Sequence, residues 1–181
     1  MADYSSCSVT SCIELGCIGS VGGIKKAYIL NGSVTGVTYD ANSAITGITG
    51  NGTLYTFEVQ KQSSSLTETF NNSLENGTLF YQQDLVLSFA KIDQDKRNQM
   101  KLLAQNRGLI AIVEDNNGEL YVLGTDFDGG YLSAGTSATG TAFGDKNAYD
   151  ITLSFFSKEP MNLLGASLSS VLSGITVDAC A

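Results

Sequence analysis

The chain has 181 residues, 43% of them hydrophobic and 15% charged, with a formal net charge of −8 and no histidine. This length suits one domain with a proper core, and the lack of histidine excludes Ser-His-Asp, Cys-His and histidine-ligated metal chemistry. The acidic balance argues against a protein that grips phosphates, because such binding requires clustered Lys and Arg.

The first 23 residues are predicted to form an N-terminal arm. They are rich in Ser, Gly and Cys, and they lack the basic region followed by an apolar run that marks a secretory signal. We therefore expect synthesis in a cytoplasm, with residues 21–23 acting as a hinge before the first strand at Ile24. No stretch reaches 18 apolar residues, so no membrane span is expected.

Three of the four cysteines lie in this arm at intervals of five residues, and the fourth is next to last: Cys7, Cys12, Cys17 and Cys180. Structural zinc sites usually place cysteines about two to four residues apart, and no histidine is present to complete a mixed ligand set. Disulfides require an oxidising environment, which the lack of a secretory signal does not indicate. Material released from a lysed cell does enter such an environment later. Reduced thiols are the favoured interpretation, while bridged and metal-bound states stay open.

Turn signals indicate a mostly antiparallel architecture. Asn-Gly pairs are the strongest short-range signal for hairpins, because both residues tolerate positive φ. The chain has four such pairs, at residues 31–32, 51–52, 76–77 and 117–118. In addition, the segment VTGVT at 34–38 is echoed by ITGIT at 45–49, which predicts a pair of similar strands.

Alternating apolar and polar residues predict half-buried strands in three further segments. These are residues 53–62, 79–90 and 148–156. The second would span about 40 Å if fully extended, which is longer than most strands in globular proteins. Strands of that length usually wrap a barrel or extend past one.

A single short helix is predicted over about residues 93–107, at a flank or open end of the β-scaffold. Asp93 is the expected N-cap, and Gly108 is placed to end the helix at its C-terminal side. The apolar stripe that would face the core consists of Met100, Leu103 and Ala104.

Charge is distributed unevenly along the chain. Half of the basic residues lie on or beside the predicted helix, where we interpret them as a solvated outer face: Lys91, Lys96, Arg97, Lys101 and Arg107. From Gly108 onward, two lysines oppose nine acidic residues, a net charge of −7. This asymmetry is typical of electrostatic matching between neighbouring subunits, or of an acidic wall past which DNA slides.

After the helix, the continuously apolar segment LIAIVED at 109–115 predicts a central strand, joined by a turn at 116–118 to the strand ELYVLG. Residues 125–147 hold five glycines and are predicted to be a long irregular loop. Loops of this length in compact domains are usually functional or disordered.

Three kinds of chemistry compete as interpretations of this segment. A phosphate-binding loop is disfavoured, because Thr141 stands where the required lysine would follow Gly140. Asp126 and Asp128 resemble the opening of a calcium loop, but the closing bidentate glutamate is absent. The same pair lacks any partner for glycoside hydrolysis, and the chain has no tryptophan to stack on a sugar. Turn aspartates are the favoured interpretation.

Residues 161–181, after Pro160, are predicted to form a C-terminal tail with a helical stripe. The stripe follows the spacing i, i+4, i+7, i+8, i+11 and consists of Leu164, Leu168, Val171, Leu172 and Ile175. We expect it to dock either on its own domain or on a neighbouring subunit. Extended arms at both ends are common in proteins that interlock in rings.

Three longer stretches resemble a known group of proteins. They are SSSLTETFNNSLENGTLFYQQDLVLSF at 63–89, KRNQMKLLAQNRGLIAIVEDNNGELYVLG at 96–124 and SATGTAFGDKNAYDITLSFFSKEP at 137–160. Together they resemble virion structural proteins of tailed phages, notably the crAss-like phages and their relatives, over about residues 24–160. The most specific pieces are the hairpin IVEDNNG at 112–118 and the stretch GTAFGD at 140–145.

The resemblance implies a mainly β domain at 24–160, an antiparallel β-sandwich or barrel of the phage tail-tube type with one flanking helix. It implies a non-enzymatic protein that forms a homo-oligomeric ring, as a tail tube or a connector ring below the portal. Its partners would be further copies, neighbouring tail or portal proteins, and genomic DNA passing non-specifically through the channel. Synthesis would take place in the host bacterial cytoplasm, before assembly into the neck or tail of the virion.

No catalytic residue, cofactor or metal ligand is expected in such a protein. The candidate functional residues are instead those of a subunit-contact loop, namely Asp126, Asp128, Gly140, Phe143 and Asp145. Two alternatives stay open: a decoration or adaptor protein on the exterior of the capsid or tail, and a calcium- or carbohydrate-binding surface protein.

Overall fold

A computed structural model describes residues 12–13 and 18–178 of the chain. Ten strands and two helices are present in this part of the chain, and the mainly β prediction is confirmed. In order they are β1 (Ile24–Tyr39), β2 (Ile45–Glu58), β3 (Ser65–Ser73), β4 (Thr78–Ala90), α1 (Gln94–Gln105), β5 (Ile110–Asp115), β6 (Leu120–Leu123), β7 (Tyr131–Ala138), β8 (Ala148–Ser157), β9 (Asn162–Leu163), α2 (Leu168–Val171) and β10 (Leu172–Asp178).

The strands form two sheets. Sheet A has the order β10-β2-β1-β5-β6-β9, and sheet B has the order β3-β4-β8-β7. Neighbouring strands run antiparallel except for the β10–β2 pair, which is parallel. Of the two predicted architectures, the barrel is wrong, because neither sheet pairs its last strand with its first.

The main core lies between the two sheets. Side chains from β1, β5 and β6 of sheet A meet side chains from β4 and β8 of sheet B, and Leu103 of α1 joins them. Phe155, Leu85 and Leu153 are fully buried at its centre. The alternation predicted for β4 and β8 therefore correctly identifies the buried face of sheet B.

A second core covers the opposite face of sheet A. There Leu30, Ile48 and Ile112 pack under the C-terminal tail, whose Leu164 and Val171 are buried. Because alternate residues of β5 enter the two cores, this strand is apolar on both faces. The central strand predicted from the run LIAIVED is thus confirmed, since β5 lies between β1 and β6.

The tail crosses this face as strand, short helix and strand. β9 pairs with β6 at one edge of sheet A, α2 lies over β2, and β10 pairs with β2 at the other edge. All five residues of the predicted stripe pack into the second core, but only four residues are helical. Residues 172–178 form the strand β10 instead, because the open edge of β2 offers backbone hydrogen bonds that a longer helix could not use.

Two of the four Asn-Gly pairs are turns, and two are not. Residues 76–77 and 117–118 lie in the β3–β4 and β5–β6 turns, as predicted. Gly32 and Gly52 instead face each other in the middle of the β1–β2 pair. A Cβ on either glycine would collide with the opposite backbone, so glycine is required there for close strand approach. The true β1–β2 turn is organised by Asp40, whose Oδ1 accepts from the backbone N–H groups of Asn42 and Ala44 at 2.8 and 2.9 Å.

The predicted helix is present, with a correction at its C-terminal end. Asp93 is the N-cap, and its Oδ1 accepts a 2.8 Å hydrogen bond from the backbone N–H of Lys96. Gly108 does not end the helix, because Asn106 leaves the helix in an extended conformation one residue after Gln105. Leu103 is buried and Met100 half-buried as expected, whereas Ala104 is exposed.

Replacing Gly130 by Ala tests the tight packing at the centre of the main core. A Cβ at this position would collide with the buried ring of Phe155, whereas a Cβ at Gly144 meets nothing within 4 Å. We expect Gly130→Ala to lower the free energy of unfolding by about 1–3 kcal/mol, and Gly144→Ala to leave it nearly unchanged. Urea unfolding of the two variants measures the difference, and equal midpoints would contradict this packing.

Candidate functional site

Sheet B has two open edges, and they are its most conspicuous functional feature. No other described strand pairs with the outer side of β3 or of β7. Seven of the eight residues of β7 are exposed, and only Leu132 is half-buried. An open edge presents unpaired backbone N–H and C=O groups, which are a template for pairing with another chain.

The two edges are complementary in direction and in length. The four strands of sheet B alternate strictly, because each is antiparallel to its neighbour. β3 and β7 therefore run in opposite directions, with nine and eight residues. If β7 of one copy lay beside β3 of another, the joined sheet would continue antiparallel.

Strand β7 lacks the charges and the proline by which many monomeric proteins protect an open edge, whereas β3 has one protective feature. Such edges usually carry lysine, proline or inward-pointing charges. β7 has no charged residue and no proline, and β3 has one charged residue, Glu68. The Glu68 carboxylate points inward, where it accepts from Gln83 Nε2 at 3.0 Å and from the Met161 backbone N–H at 2.7 Å.

The outer face of sheet B, turned away from sheet A, is neutral to acidic. None of its four strands contains Lys or Arg. Its charged side chains are Asp84 and Asp150, among hydroxyl groups such as Ser154, whose Oγ donates to Ser133 Oγ at 2.9 Å. Lys146 lies in the loop before β8, and its Nζ donates a hydrogen bond to Asp150 Oδ1 at 2.6 Å. This hydrogen bond lowers the pKa of Asp150.

One end of this face carries aromatic rings. Phe156 lies between Phe80 and Tyr131, with ring centroids 6.2 and 6.4 Å apart. Phe80 and Tyr131 are partly exposed. The face therefore combines a polar, acidic region with an aromatic region near the β3–β4 turn.

The predicted contact loop at 125–147 is not one loop, because β7 occupies its centre. Asp126 and Asp128 lie before β7, and Gly140, Phe143 and Asp145 lie after it. Eight residues of strand hold the two groups about 26 Å apart along the chain. The sequence did not reveal β7, since its Ser, Ala and Gly residues carry little strand propensity; pairing with β8 decides its conformation.

The aspartates before β7 have structural partners. Asp126 Oδ2 accepts from Ser157 Oγ at 3.1 Å and from the Lys158 backbone N–H at 3.2 Å. Phe127 is exposed and lies under the Lys158 ammonium group, 5.4 Å from the ring centroid. Asp128 adopts a positive φ of 61° on the surface. These contacts fit the favoured interpretation of turn aspartates.

The residues after β7 form a compact exposed turn. Asp145 Oδ2 accepts 2.7 Å hydrogen bonds from the backbone N–H groups of Thr141 and Ala142. These two bonds, with Ala142 contributing most, lower the pKa of Asp145. Gly140 has a φ of 74°, and the side chain of Phe143 projects fully into solvent.

The remaining predictions concern metal binding, the cysteines and membrane spans. No three His, Cys, Asp or Glu side chains among the described residues are grouped so that they could hold a metal ion. Cys12 is exposed with a free thiol, and Cys7, Cys17 and Cys180 lie outside the described residues. Within the described ranges, no helix has the length and apolar character needed to cross a bilayer.

The start of the predicted hinge is held on the β5–β6 turn. The Val21 backbone N–H donates to Asn117 Oδ1 at 2.8 Å, and Asn117 Nδ2 donates back to the Val21 carbonyl at 2.9 Å. Asn116 Nδ2 donates to the Gly22 carbonyl at 2.8 Å. The β5–β6 turn therefore fixes the position of residues 21–22 just before β1.

Replacing Asp145 by Asn tests the turn after β7. Because the folded-state pKa of Asp145 is lowered from 3.8, its hydrogen bonds stabilise the turn above that pH and are lost as the pH falls through the lower, folded-state value. We expect the amide NMR signals of Thr141 and Ala142 to titrate below pH 3.8, and to lose this titration in Asp145→Asn. The matched control Asp128→Asn should leave both signals titrating; loss in the control as well would contradict the assignment.

No protein-family model matches this chain, and no curated protein matches it at a significant level. The features of the molecule that bear on its role are the open edges, the uncharged β7 strand and the acidic outer face of sheet B.

Proposed function

We propose that the protein is a non-enzymatic virion structural protein that assembles into a homo-oligomeric ring around a DNA channel. The observation that carries this proposal is the pair of open, antiparallel edges on opposite sides of sheet B. The resemblance of residues 24–160 to tail-tube-like proteins of crAss-like and related tailed phages supports the same role.

The position of the two edges favours a ring over a symmetric dimer. An interface between β3 of one copy and β7 of the next is heterologous, since two different surfaces meet. Such contacts propagate from copy to copy until the rotation closes a ring, or continue as an open filament. Four strands per copy would extend the sheet by about 19 Å at each step.

The faces of sheet B determine which side lines the channel. The inner face is covered by sheet A and α1, so the outer face is the one available to line a bore. Its strands contain no Lys or Arg, and Lys146, which reaches the face from the loop before β8, is paired with Asp150, so that face offers DNA few counterion-releasing contacts. Its carboxylates and hydroxyl groups suit a wall that DNA passes without sticking.

The proposed partners follow from this arrangement. Further copies pair edge to edge within the ring, and neighbouring tail or portal proteins contact its two rims, in the neck or tail of the virion. An exterior decoration or adaptor protein is the second candidate function, and the exposed aromatic side chains Phe80, Tyr131 and Phe143 favour it. It predicts a monomer or trimer without a central pore.

A lysine in the open edge tests the ring. Ser137 lies in β7, whereas Ser169 lies on α2, on the far side of sheet A; both are exposed. We expect the purified wild-type protein and Ser169→Lys to form rings with a central pore in negative-stain images. Ser137→Lys should remain monomeric by light scattering, because the edge pairing would desolvate the ammonium group.

Two results would refute the proposal. One is a wild-type protein that stays monomeric or trimeric without a pore at high concentration, which supports the exterior role. The other is unchanged ring formation by Ser137→Lys, which would place the ring contact elsewhere and remove the observation that carries the proposal.

A further inference from the structure

The four Asn-Gly pairs of the chain have a chemical reactivity of their own, besides their role in turns. The backbone nitrogen of the glycine can attack Cγ of the asparagine side chain and close a five-membered succinimide ring. Glycine permits this attack better than other residues, because it has no Cβ to obstruct the approach and its backbone rotates freely. The pairs at 31–32, 51–52, 76–77 and 117–118 are therefore candidate sites of deamidation.

Two of the pairs are held in the middle of the β1–β2 strand pair. Asn31 lies opposite Thr53, and Asn51 lies opposite Ser33. The Oδ1 atom of Asn51 also accepts from the backbone N–H and from Oγ of Ser33, at 3.2 and 2.9 Å. Closure of the ring requires the backbone between asparagine and glycine to rotate. In these strands, that rotation would break hydrogen bonds of the ladder, so both pairs are protected.

The third pair lies in the exposed β5–β6 turn, where the side chain of Asn117 is fixed. Its Oδ1 accepts from the Val21 N–H at 2.8 Å, and its Nδ2 donates to the Val21 carbonyl at 2.9 Å and to Asp115 Oδ2 at 2.8 Å. The Gly118 N–H donates to the Asp115 carbonyl at 3.3 Å. The amide that would leave and the nitrogen that would attack are thus both engaged.

The fourth pair, Asn76 and Gly77, lies at the exposed tip of the β3–β4 hairpin, in the turn formed by residues 74–77. Among the described residues, neither the Asn76 side-chain amide nor the Gly77 N–H takes part in a hydrogen bond. A Cβ built on Gly77 meets nothing within 4 Å, so there is room for the ring. The reacting groups of this pair are therefore unrestrained.

The position of the turn also allows it to open locally. Tyr81 is the last residue of β4 that pairs with β8, so residues 78–80 pair with β3 alone among the described strands. A hairpin end with few partners opens more readily than the centre of a sheet. Asn76 can thus reach the geometry for ring closure without unfolding the domain.

We propose that Asn76 is a site of spontaneous deamidation, and that the fold protects the other three Asn-Gly pairs. The Gly77 nitrogen loses its proton to solvent and forms a bond to Asn76 Cγ. The Cγ–Nδ2 bond breaks, and the leaving nitrogen takes a proton from water and departs as ammonia. Water then opens the succinimide at either of its two carbonyl groups, which leaves aspartate or isoaspartate at position 76.

Both products change the hairpin tip permanently. Each adds a carboxylate next to Glu75, so a modified copy gains one negative charge in this turn. Isoaspartate also inserts a methylene group into the main chain of the turn, whose length determines the pairing of Ser73 with Thr78. The modified fraction rises with the age of the protein. This inference does not rest on the ring, because the reaction requires only a single copy.

Incubation of the full-length protein at neutral and at mildly alkaline pH tests this assignment. Peptide mapping by mass spectrometry separates the four sites, and an isoaspartyl methyltransferase labels the isoaspartate product. We expect Asn76 to react at least about tenfold faster than Asn117, whose hydrogen bonds must break before the ring can close. The rate at Asn76 should rise with pH, because the attacking nitrogen must lose its proton.

Asn76→Gln is the matched variant. Glutamine keeps the amide and the backbone N–H that donates to Ser73 Oγ, but its longer side chain would have to close a six-membered ring, which is much slower. The variant should lose only the product at position 76 and keep the circular dichroism spectrum of the wild type. Wild-type protein unfolded in urea is the second control, and all four pairs should react there at similar rates.

Two results would overturn the inference. One is folded wild-type protein in which Asn76 reacts no faster than Asn117. The other is a ranking of the four sites that persists in urea, which would assign the differences in rate to the neighbouring residues of each pair rather than to the fold.

Discussion

Burial of both faces of sheet A is the constraint on which the rest of the structure depends. Its strands β1 and β5 place alternate apolar side chains in two separate cores, one toward sheet B and one toward the tail. A sheet that is apolar on both sides requires two covers, since exposed apolar surface is unfavourable in water. Sheet B and α1 supply the first cover, and residues 161–178 supply the second. Each other element has its position because it completes one of these layers.

This layering leaves sheet B free for other purposes. One of its faces is held in the main core, whereas its outer face and both edges contribute little to the fold of a single copy. Natural proteins usually protect such edges against association. In this chain the edge strand β7 is uncharged, and the adjacent turn holds Phe143 in solvent. In the proposed ring, stability and assembly would thus belong to different surfaces, so that the assembly contacts could vary without loss of the core.

Local sequence patterns predicted those elements whose own side chains decide their structure. Alternation located β4 and β8, the run LIAIVED located β5, and Asp93 marked the start of α1. The local patterns did not predict the elements whose conformation is determined by strands distant in the sequence. β7 is a strand because β8 lies beside it, and β10 is a strand because the open edge of β2 accepts it across more than a hundred residues. Gly32 and Gly52 carry the Asn-Gly signature of a turn but lie within a strand pair, since a turn and a close strand approach both require glycine. The open edges escaped prediction for the same reason: which strands lie at an edge depends on the topology of the whole sheet.

The crossing of the tail over sheet A also has a consequence for the order of events in the cell. A ribosome synthesises residues 24–160 before residues 161–178, so the sheet emerges ahead of the segment that covers its second face. Until that segment arrives, the apolar side chains of Leu30, Ile48 and Ile112 and the edge of β2 lack their partners. At this stage the nascent chain therefore exposes the apolar face of sheet A that points away from sheet B. The second core is therefore completed only after synthesis has passed Asp178.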